Sequence, residues 1–227
     1  MNTVILTQVA LVTLSYLAGG IPTGYLIVRR LKGLDIREHG SGNPGTANVY
    51  HVAGPQAGAA TLLVDAIKGF APVLIAHRVY PEQRWFIILC GAAAIVGHDW
   101  TVFLRFKGGK GVATSAGVFA ALIPQPMALA LMAFLGGMWS SGHISVGSLT
   151  AAVALPLLSL LLGSPMPYTV AAATASLLIL YKHVPNIKRL RREKALALRA
   201  QTVAGAESNR GWADARGGRP VPAEKRS

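Results

Sequence analysis

Apolar segments alternate with short polar and basic segments along most of the chain. The first three apolar segments cover residues 3–28, 54–76 and 85–104, and residues 111–181 contain no Asp, Glu, Lys or Arg. A helix needs about 20 mostly apolar residues to cross a bilayer. The pattern therefore predicts an all-α integral membrane protein.

The first apolar segment resembles a secretory signal in its position and hydrophobicity. It has no basic residues before its apolar part and no clear small-residue cleavage site. Polar or turn-forming positions, Gly19, Gly20, Pro22 and Thr23, also interrupt it. A cleaved signal has a basic start and a small-residue cleavage site, so we interpret residues 3–28 as a retained helix.

The uncharged stretch 111–181 is long enough for several helices. Pro, Gly and Ser clusters break it at three places, and such clusters mark turns. The four resulting pieces are residues 112–123, 127–139, 144–162 and 168–181. Most are shorter than the ~20 residues of a full crossing, so we expect half-spans or a locally thinner bilayer.

Three basic segments set the expected orientation, at residues 29–32, 105–110 and 182–194. Lys and Arg concentrate in the cytoplasmic loops of membrane proteins. If all three segments are cytoplasmic, an even number of spans must separate the second from the third, and four pieces satisfy this. We therefore predict seven transmembrane helices, several of them short, with the N-terminus outside and the C-terminus cytoplasmic.

Composition agrees with a membrane protein and bears on possible partners. Residues are 52% hydrophobic and 14% charged, whereas soluble domains carry about 25% charged residues. The net charge is +13, which in a soluble protein would favour nucleic-acid binding. Cytoplasmic loops explain the charge better here, so we expect no nucleic-acid partner. We predict a membrane domain over residues 1–194 and a basic, disordered cytoplasmic tail over 195–227.

The segment 40–48, between the first two apolar segments, is rich in glycine and short polar side chains. Glycine lets the backbone approach a ligand closely, and Ser, Asn and Thr supply hydrogen bonds. Such a loop before a helix can bind phosphate, although it matches neither a P-loop nor a dinucleotide motif. An ordinary turn with a helix cap is the alternative. The residues concerned are Gly40, Ser41, Gly42, Asn43, Gly45, Thr46 and Asn48.

A second glycine loop is basic. Lys107 and Lys110 flank Gly108 and Gly109, and the chain then enters a predicted helix near Val112. The lysines can neutralise a phosphate while the first N–H groups of the helix donate to it. The alternative is a basic loop at the membrane boundary.

Ionisable residues inside apolar segments form two further candidates. Asp65 and Lys68 are three residues apart and share a helix face, so they form either an ion pair or a ligand contact. His98 stands beside Asp99 near the inner boundary, and we favour a structural role for it. The one cysteine allows neither an intrachain disulfide nor a thiol metal cluster. We expect no metal.

Two polar stretches follow. Ser145 and Ser148 lie near the start of a predicted helix, where they either cap it or donate to a ligand. His183 and Asn186 open the last basic segment, which either rests on anionic lipid headgroups or contributes an acid–base group. By the span count, all the polar stretches lie on the cytoplasmic face, which predicts a site there.

Several of these stretches, in this order and spacing, resemble one family. They are GGIPTGYL, DIREHGSGNPGTAN, the Asp65-Ala-Ile-Lys-Gly69 pattern, FKGGKGVAT, SVGS and the segment from His183 to Leu190. Over residues 15–192 the chain resembles the bacterial acyl-phosphate:glycerol-3-phosphate acyltransferases, integral membrane enzymes of phospholipid synthesis. Together, the two glycine loops would provide a site for two phosphate groups.

The resemblance implies seven transmembrane helices in the bacterial inner membrane and an active site open to the cytoplasm. The implied reaction transfers an acyl group from acyl phosphate to the sn-1 hydroxyl of glycerol 3-phosphate, giving lysophosphatidic acid and phosphate. Acyl phosphate is already activated, so no cofactor is implied. Membrane lipids are the remaining expected partners, and no oligomeric state is predicted.

Matching the motifs position by position implies roles for individual residues. The residues with implied catalytic roles are Ser41, Lys110, His183 and Asn186. Those implied to bind substrate or phosphate are Gly42, Asn43, Gly45, Asn48, His51, Lys107, Gly108, Gly109, Ser148 and Arg189. Supporting positions are Asp65, Lys68, His98 and Ser145. The attacking hydroxyl would lose its proton either to a substrate phosphate or to His183.

The chain departs from the family pattern at three places. It has Thr46-Ala47 where the family usually has Ala-Thr, and His51 where the family usually has arginine. It also lacks the Gly-x-Glu that usually ends the last motif and reads Arg-Glu-Lys-Ala at 192–195. A divergent homologue with altered or lost activity, or a transporter of a phosphorylated solute, therefore stays open as an alternative.

Overall fold

The computed structural model describes residues 2–217, and it describes the side chains of residues 3–188, 192, 195 and 196. Helices dominate this part of the chain, and it contains no strand. The helices are α1 (Asn2–Gly20), α2 (Thr23–Lys32), α3 (Thr46–Ala53), α4 (Pro55–Val79), α5 (Arg84–Asp99), α6 (Val112–Leu122), α7 (Pro124–Ser141), α8 (Ile144–Leu161) and α9 (Met166–Gly217). Single 3₁₀ turns occupy Ile36–Glu38 and Val102–Leu104. The all-α prediction is confirmed for the described residues.

Four helical stretches within the described residues are long and apolar enough to cross a membrane. They are Thr3–Lys32, Pro55–Val79, Arg84–Leu104 and Ile144–Leu161. The helix Val112–Leu122 is apolar but shorter. These helices agree with a multi-pass protein, while the count of seven spans and the orientation stay predictions.

The first apolar segment is two helices rather than one. Pro22 separates α1 from α2, because proline has no N–H to continue the hydrogen-bond ladder. Two buried donors hold the break open: Thr101 Oγ1 donates to the Gly20 carbonyl at 2.6 Å, and Lys68 Nζ donates to the Ile21 carbonyl at 2.8 Å. The break therefore joins the carbonyls of Gly20 and Ile21 to α4 and to the chain after α5.

The apolar core lies where α4, α5 and α6 pack, and it includes the buried Val73, Ile87, Cys90 and Phe119. Glycines bring α4 and α6 together, since Gly69 lies against the backbone of Thr114 and leaves no room for a Cβ. Small residues allow such close helix packing inside membranes. The contact places the start of α6, and the glycine loop before it, beside the middle of α4.

The chain forms a first compact unit that ends at His183 and a second that begins at Val184. Helix α9 contains Pro185 and continues to Gly217 within the described residues. Residues 218–227, in the predicted tail, lie outside the described residues. The predicted domain boundary at 194 and the predicted disorder of the tail stay predictions.

Candidate active site

Several polar segments meet at a small cavity of about 10 Å³, which is space for about one water molecule. The cavity is lined by Gly20, Ile21, Pro22, Thr23, Gly24, Pro44, Asp65, Lys68, His98, Thr101, Leu104, Gly108 and Gly109. It joins the α1–α2 break, the loop before α3, the charged pair of α4 and the basic glycine loop. The cavity is a junction of the predicted motifs rather than a substrate-sized pocket, and Ser41, Lys110, Ser148 and His183 do not line it.

The amide of Asn48 holds the first glycine loop together. Asn48 is buried, with 4% of its surface exposed, and its Oδ1 accepts the Ser41 N–H at 2.9 Å. Its Nδ2 donates to the carbonyls of His39 at 2.9 Å and Ile36 at 3.3 Å. Gly40, at φ +60°, packs against this amide and leaves no space for a side chain. The amide thereby fixes the position of Ser41.

The loop then presents the start of α3. Asn43 Oδ1 accepts the Gly45 N–H at 2.9 Å, which forms a turn, but no side chain caps α3. The predicted turn is confirmed and the predicted cap is wrong. Thr46, the first residue of α3, has a buried Oγ1 without a hydrogen-bond partner. The first N–H groups of a helix also lack intrahelical partners, so this end of α3 presents several donors.

His51 lies in the last turn of α3 and is exposed. Its ring meets the Tyr50 ring edge to face, with the centroids 5.5 Å apart. An arginine carries a permanent charge and two parallel donors, whereas histidine is smaller and only partly charged near neutral pH. The exposed position leaves space for either side chain.

Asp35 and Arg37, which are not among the predicted site residues, form an ion pair at the entry to the first loop. Arg37 Nη2 lies 2.6 Å from Asp35 Oδ2, and Asp35 Oδ1 accepts the Arg37 N–H at 3.0 Å. The guanidinium also lies over the Tyr25 ring, 5.3 Å from its centroid. In the sequence, two opposite charges two residues apart and directly before a glycine loop were the signal that could have indicated this ion pair.

This ion pair makes the first loop sensitive to acid. The hydrogen bonds from Arg37 lower the pKa of Asp35 to about 2. A carboxyl group whose pKa is lowered by folding contributes stability above its usual pKa and loses it as the pH falls. For Asp35 the loss runs from about pH 4 down to about pH 2.

Replacing Asp35 by asparagine is expected to loosen the loop at pH 7. Hydrogen–deuterium exchange of residues 36–42 should rise about threefold or more, because the ion pair and the turn it caps are both weakened. Glu38→Gln, an exposed acidic residue in the same turn, is the matched control and should leave exchange unchanged. Equal exchange in Asp35→Asn and the unmodified protein would mean that the Asp35–Arg37 ion pair does not stabilise the loop.

The basic glycine loop rests on the end of α5. The Gly109 N–H donates to the His98 carbonyl at 3.0 Å, and the Gly108 N–H donates to the Asp99 carbonyl at 3.3 Å. Gly109 also packs directly on the His98 ring, so any side chain at this position would overlap the ring. His98 thus supports the loop through both its ring and its backbone.

Lys110 ends this loop, and its positive charge acts on His183 of α9. Lys110 is half-buried just before α6, while Lys107 is exposed. His183 is 3% exposed, and its Nδ1 donates to the Ile179 carbonyl at 2.8 Å. A carbonyl cannot donate, so Nδ1 carries the proton and Nε2 carries the free lone pair of the neutral ring.

The surroundings of His183, which follows the predicted last span, keep the ring neutral. Burial is the largest cause that lowers its pKa below 6.5, and the positive charge of Lys110 lowers it further. The hydrogen bond to Ile179 acts in the opposite direction. A neutral imidazole with a free Nε2 is able to accept a proton or a hydrogen bond near pH 7.

Asp65 and Lys68 form the buried ion pair that the sequence allowed. Lys68 Nζ lies 2.8 Å from Asp65 Oδ1 and also donates to the Ile21 carbonyl. His98 Nδ1 is 3.9 Å from the same carboxylate oxygen. The pair therefore joins α4 to the α1–α2 break and lies close to the support of the glycine loop. These contacts favour the supporting role over direct ligand contact.

The serines of α8 do not cap it. Helix α8 begins at Ile144 without a side-chain cap, so the predicted capping alternative is wrong. Ser148 is buried and its Oγ donates to the Ile144 carbonyl at 2.9 Å, while Ser145 is the second residue of the helix. Their predicted roles at a ligand stay predictions.

The remaining predicted residues follow His183. Asn186 lies one residue after Pro185 in the second unit, and the side chain of Arg189 lies outside the described part of the chain. Both stay predictions. Within the described residues no group of three or more His, Cys, Asp or Glu could hold a metal ion.

Comparison with known proteins agrees with this geometry. The sequence profile of the glycerol-3-phosphate acyltransferase family matches residues 9–193. The glycerol-3-phosphate acyltransferase of Endomicrobium trichonymphae is 42% identical over 82% of this chain and 92% of its own length. That of Geobacter sulfurreducens is 42% identical over 84% of this chain and 95% of its own length.

A solved structure is similar as well. The crystal structure of PlsY, an integral membrane glycerol 3-phosphate acyltransferase, in its glycerol 3-phosphate form is 36% identical to this chain. It superposes with a TM-score of 0.78 and covers 82% of this chain and 93% of that one. The lysophosphatidic acid form of the same protein gives a TM-score of 0.76.

The fold and the meeting of the motifs define an integral membrane acyltransferase of phospholipid biosynthesis. The chain belongs to the glycerol-3-phosphate acyltransferase family. The family resemblance seen in the sequence is thereby confirmed.

Proposed function

We propose that the enzyme transfers an acyl group from acyl phosphate to the sn-1 hydroxyl of glycerol 3-phosphate. The products are lysophosphatidic acid and inorganic phosphate. The observation that carries this proposal is the meeting of two glycine loops, each leading into a helix start, at one charged junction. Two phosphate-bearing substrates require two anion sites, and this arrangement offers both.

The chemistry needs positioning and positive charge more than it needs a protein nucleophile. The hydroxyl oxygen attacks the acyl carbon, the bond from carbon to phosphate oxygen breaks, and phosphate leaves with the bond electrons. Lys110 and the first N–H groups of α6 stabilise one phosphate, and the Ser41–Gly45 loop with the start of α3 binds the other. Ser148 completes the pocket, while His183 and Asn186 orient glycerol 3-phosphate.

The attacking hydroxyl must lose a proton. His183 Nε2 has the free lone pair for this, because Nδ1 is held by the Ile179 carbonyl. A substrate phosphate oxygen is the other acceptor. His183→Gln separates the two: a base at His183 makes the kcat of the variant fall at least 100-fold, whereas a phosphate acceptor leaves kcat within about tenfold.

For Asn48 we propose a supporting role in place of direct phosphate contact. All of its described hydrogen bonds go to the backbone of the loop. His51 takes the place of the usual arginine as a weaker phosphate ligand. His51→Arg should lower the KM of one substrate about threefold or more, since arginine adds a permanent, bidentate charge. An unchanged KM for both substrates would mean that His51 faces no phosphate.

We place the protein in the bacterial inner membrane with seven spans and the site on the cytoplasmic side. The basic segments at 29–32, 105–110 and 182–194 support this orientation through the positive-inside rule. Glycerol 3-phosphate, which is soluble, then enters from the cytoplasm, while the acyl chain of acyl phosphate stays among the membrane lipids.

The test of the function is a donor comparison with purified full-length protein. Acyl phosphate, acyl-CoA and acyl carrier protein thioester are each supplied with glycerol 3-phosphate, and lysophosphatidic acid is measured. Acyl phosphate should support turnover at least 100-fold faster than either thioester. Uptake of glycerol 3-phosphate into proteoliposomes without chemical change would favour the transporter instead, and turnover with thioesters alone would refute the proposed donor.

A further inference from the structure

The end of α5 forms a platform made of His98, Asp99 and Trp100, named here the 98–100 platform. Its first two carbonyls accept the N–H groups of Gly109 and Gly108, so the platform carries the basic glycine loop. Any shift of the platform would move the loop and the lysine that follows it.

The platform is tied to the first helix. The Trp100 carbonyl accepts the Tyr16 hydroxyl at 2.8 Å, and Gly97, just before the platform, packs against the Tyr16 backbone. Asp99 and Thr101 are almost fully buried, with 0% and 2% of their surface exposed. The platform is therefore a fixed reference point in the first unit.

Lys182 of α9 binds this platform in two ways. Its Nζ donates to the Asp99 carbonyl at 3.2 Å, and the same Nζ lies 4.4 Å from the centroid of the Trp100 ring. An ammonium group within about 6 Å of an indole face is attracted to it. The Asp99 carbonyl thus accepts both from Lys182 and from Gly108 of the glycine loop.

Lys182 precedes His183 directly in the chain, so its contact with the platform also affects the position of His183. The His183 ring is fixed to its own helix through the Ile179 carbonyl. The distance of the ring from Lys110, whose charge acts on it, therefore depends on where that part of α9 is held. Lys182 holds that part of α9 against the platform. A lysine that only met lipid headgroups would extend outward, whereas Lys182 is half-buried with its Nζ turned to the protein.

We propose that Lys182 is a positioning residue that keeps His183 aligned with the basic glycine loop, and so with the glycerol 3-phosphate that His183 meets. The inference rests on the proposed role of His183. Lys182 is not among the site residues predicted from the sequence. The Asp99 carbonyl is then an acceptor shared by Lys182 of α9 and Gly108 of the glycine loop.

The test compares Lys182→Met with Lys182→Arg by full kinetics with both substrates. Methionine keeps most of the length of the stem and removes the charged donor, so the KM for glycerol 3-phosphate should rise at least fivefold. The KM for acyl phosphate should stay within twofold. Arginine stacks on indole and donates, and it should restore the KM for glycerol 3-phosphate to within twofold. Lys32→Met, at an exposed lysine that ends α2, is the matched control and should match the unmodified protein.

A double-mutant cycle with His183→Gln separates this inference from the role of His183 itself. If Lys182 acts through His183, Lys182→Met should have almost no further effect on KM in the His183→Gln background. A change in KM of the double variant that equals the product of the two single changes would overturn the inference and leave the role of His183 intact. An unchanged KM in Lys182→Met alone would do the same. An unchanged KM for glycerol 3-phosphate in His183→Gln would refute the proposed contact of His183 with this substrate, and the inference with it.

Lys182→Gln serves as a second variant if Lys182→Met is not recovered as a folded protein. Thermal unfolding in detergent is recorded for every variant. A uniform loss of kcat that follows the loss of folded protein, without a selective rise in the KM for glycerol 3-phosphate, would reduce the contact to a stabilising one and contradict the proposal.

Discussion

Replacing Lys110 by methionine is expected to lower kcat/KM at least 100-fold. Lys110 is half-buried where the basic glycine loop meets α6, so its charge is less screened than that of a surface lysine. A preorganised positive group at a leaving phosphate contributes a factor of about 100 to 1,000. The measurement is steady-state release of lysophosphatidic acid with both substrates varied.

Lys107→Met is the comparison for this prediction. Lys107 is exposed in the same loop, so water and salt screen its charge and its loss should cost less than about tenfold. Equal effects of the two replacements would mean that the loop acts only through its overall charge. A near-normal rate in Lys110→Met would remove this loop from the site.

Replacing Asn48 by alanine is expected to destabilise the protein and to abolish most activity. The change removes three hydrogen bonds: the Ser41 N–H loses its acceptor, and the carbonyls of Ile36 and His39 keep only the backbone N–H groups of His39 and Gly42. Each lost hydrogen bond costs about 1 kcal/mol, so the free energy of unfolding should fall by about 3 kcal/mol. The loop that holds Ser41 would lose its fixed shape.

Thermal unfolding in detergent and steady-state kinetics measure both effects. A loss of about 3 kcal/mol corresponds to a decrease of at least about 6 °C in the midpoint of unfolding for a chain of this size. Gln56→Ala, an exposed amide at the start of α4, is the matched control and should change neither quantity. An Asn48→Ala variant with normal stability but a raised KM would favour direct contact between Asn48 and phosphate.

Hydrophobic patterning predicted most helix positions, because membrane helices must be apolar over most of their length. The predicted segment 54–76 is close to Pro55–Val79, and the predicted segment 144–162 is close to Ile144–Leu161. The first segment, expected as one helix, is broken at Pro22. Its break depends on buried donors from Lys68 and Thr101, which are distant in sequence.

The site was predictable to the level of motifs and not to the level of contacts. Residue types indicated the candidate phosphate-binding segments, since glycine, lysine and helix starts suit an anion. They did not indicate that the Asn48 amide makes its hydrogen bonds within its own loop, because these bonds depend on the path of residues 36–41. Among the basic residues of the last motif, only the fold distinguishes Lys182, whose Nζ turns to the Asp99 carbonyl.

The proposed function requires a coupled reaction of two phosphate-bearing substrates. The most direct measurement follows inorganic phosphate and lysophosphatidic acid together in one reaction of the purified protein with acyl phosphate and glycerol 3-phosphate. One phosphate should be released for each lysophosphatidic acid formed, and omitting glycerol 3-phosphate should nearly stop the formation of both. Phosphate release that continues without glycerol 3-phosphate, or the absence of lysophosphatidic acid in the complete reaction, would contradict the proposed function.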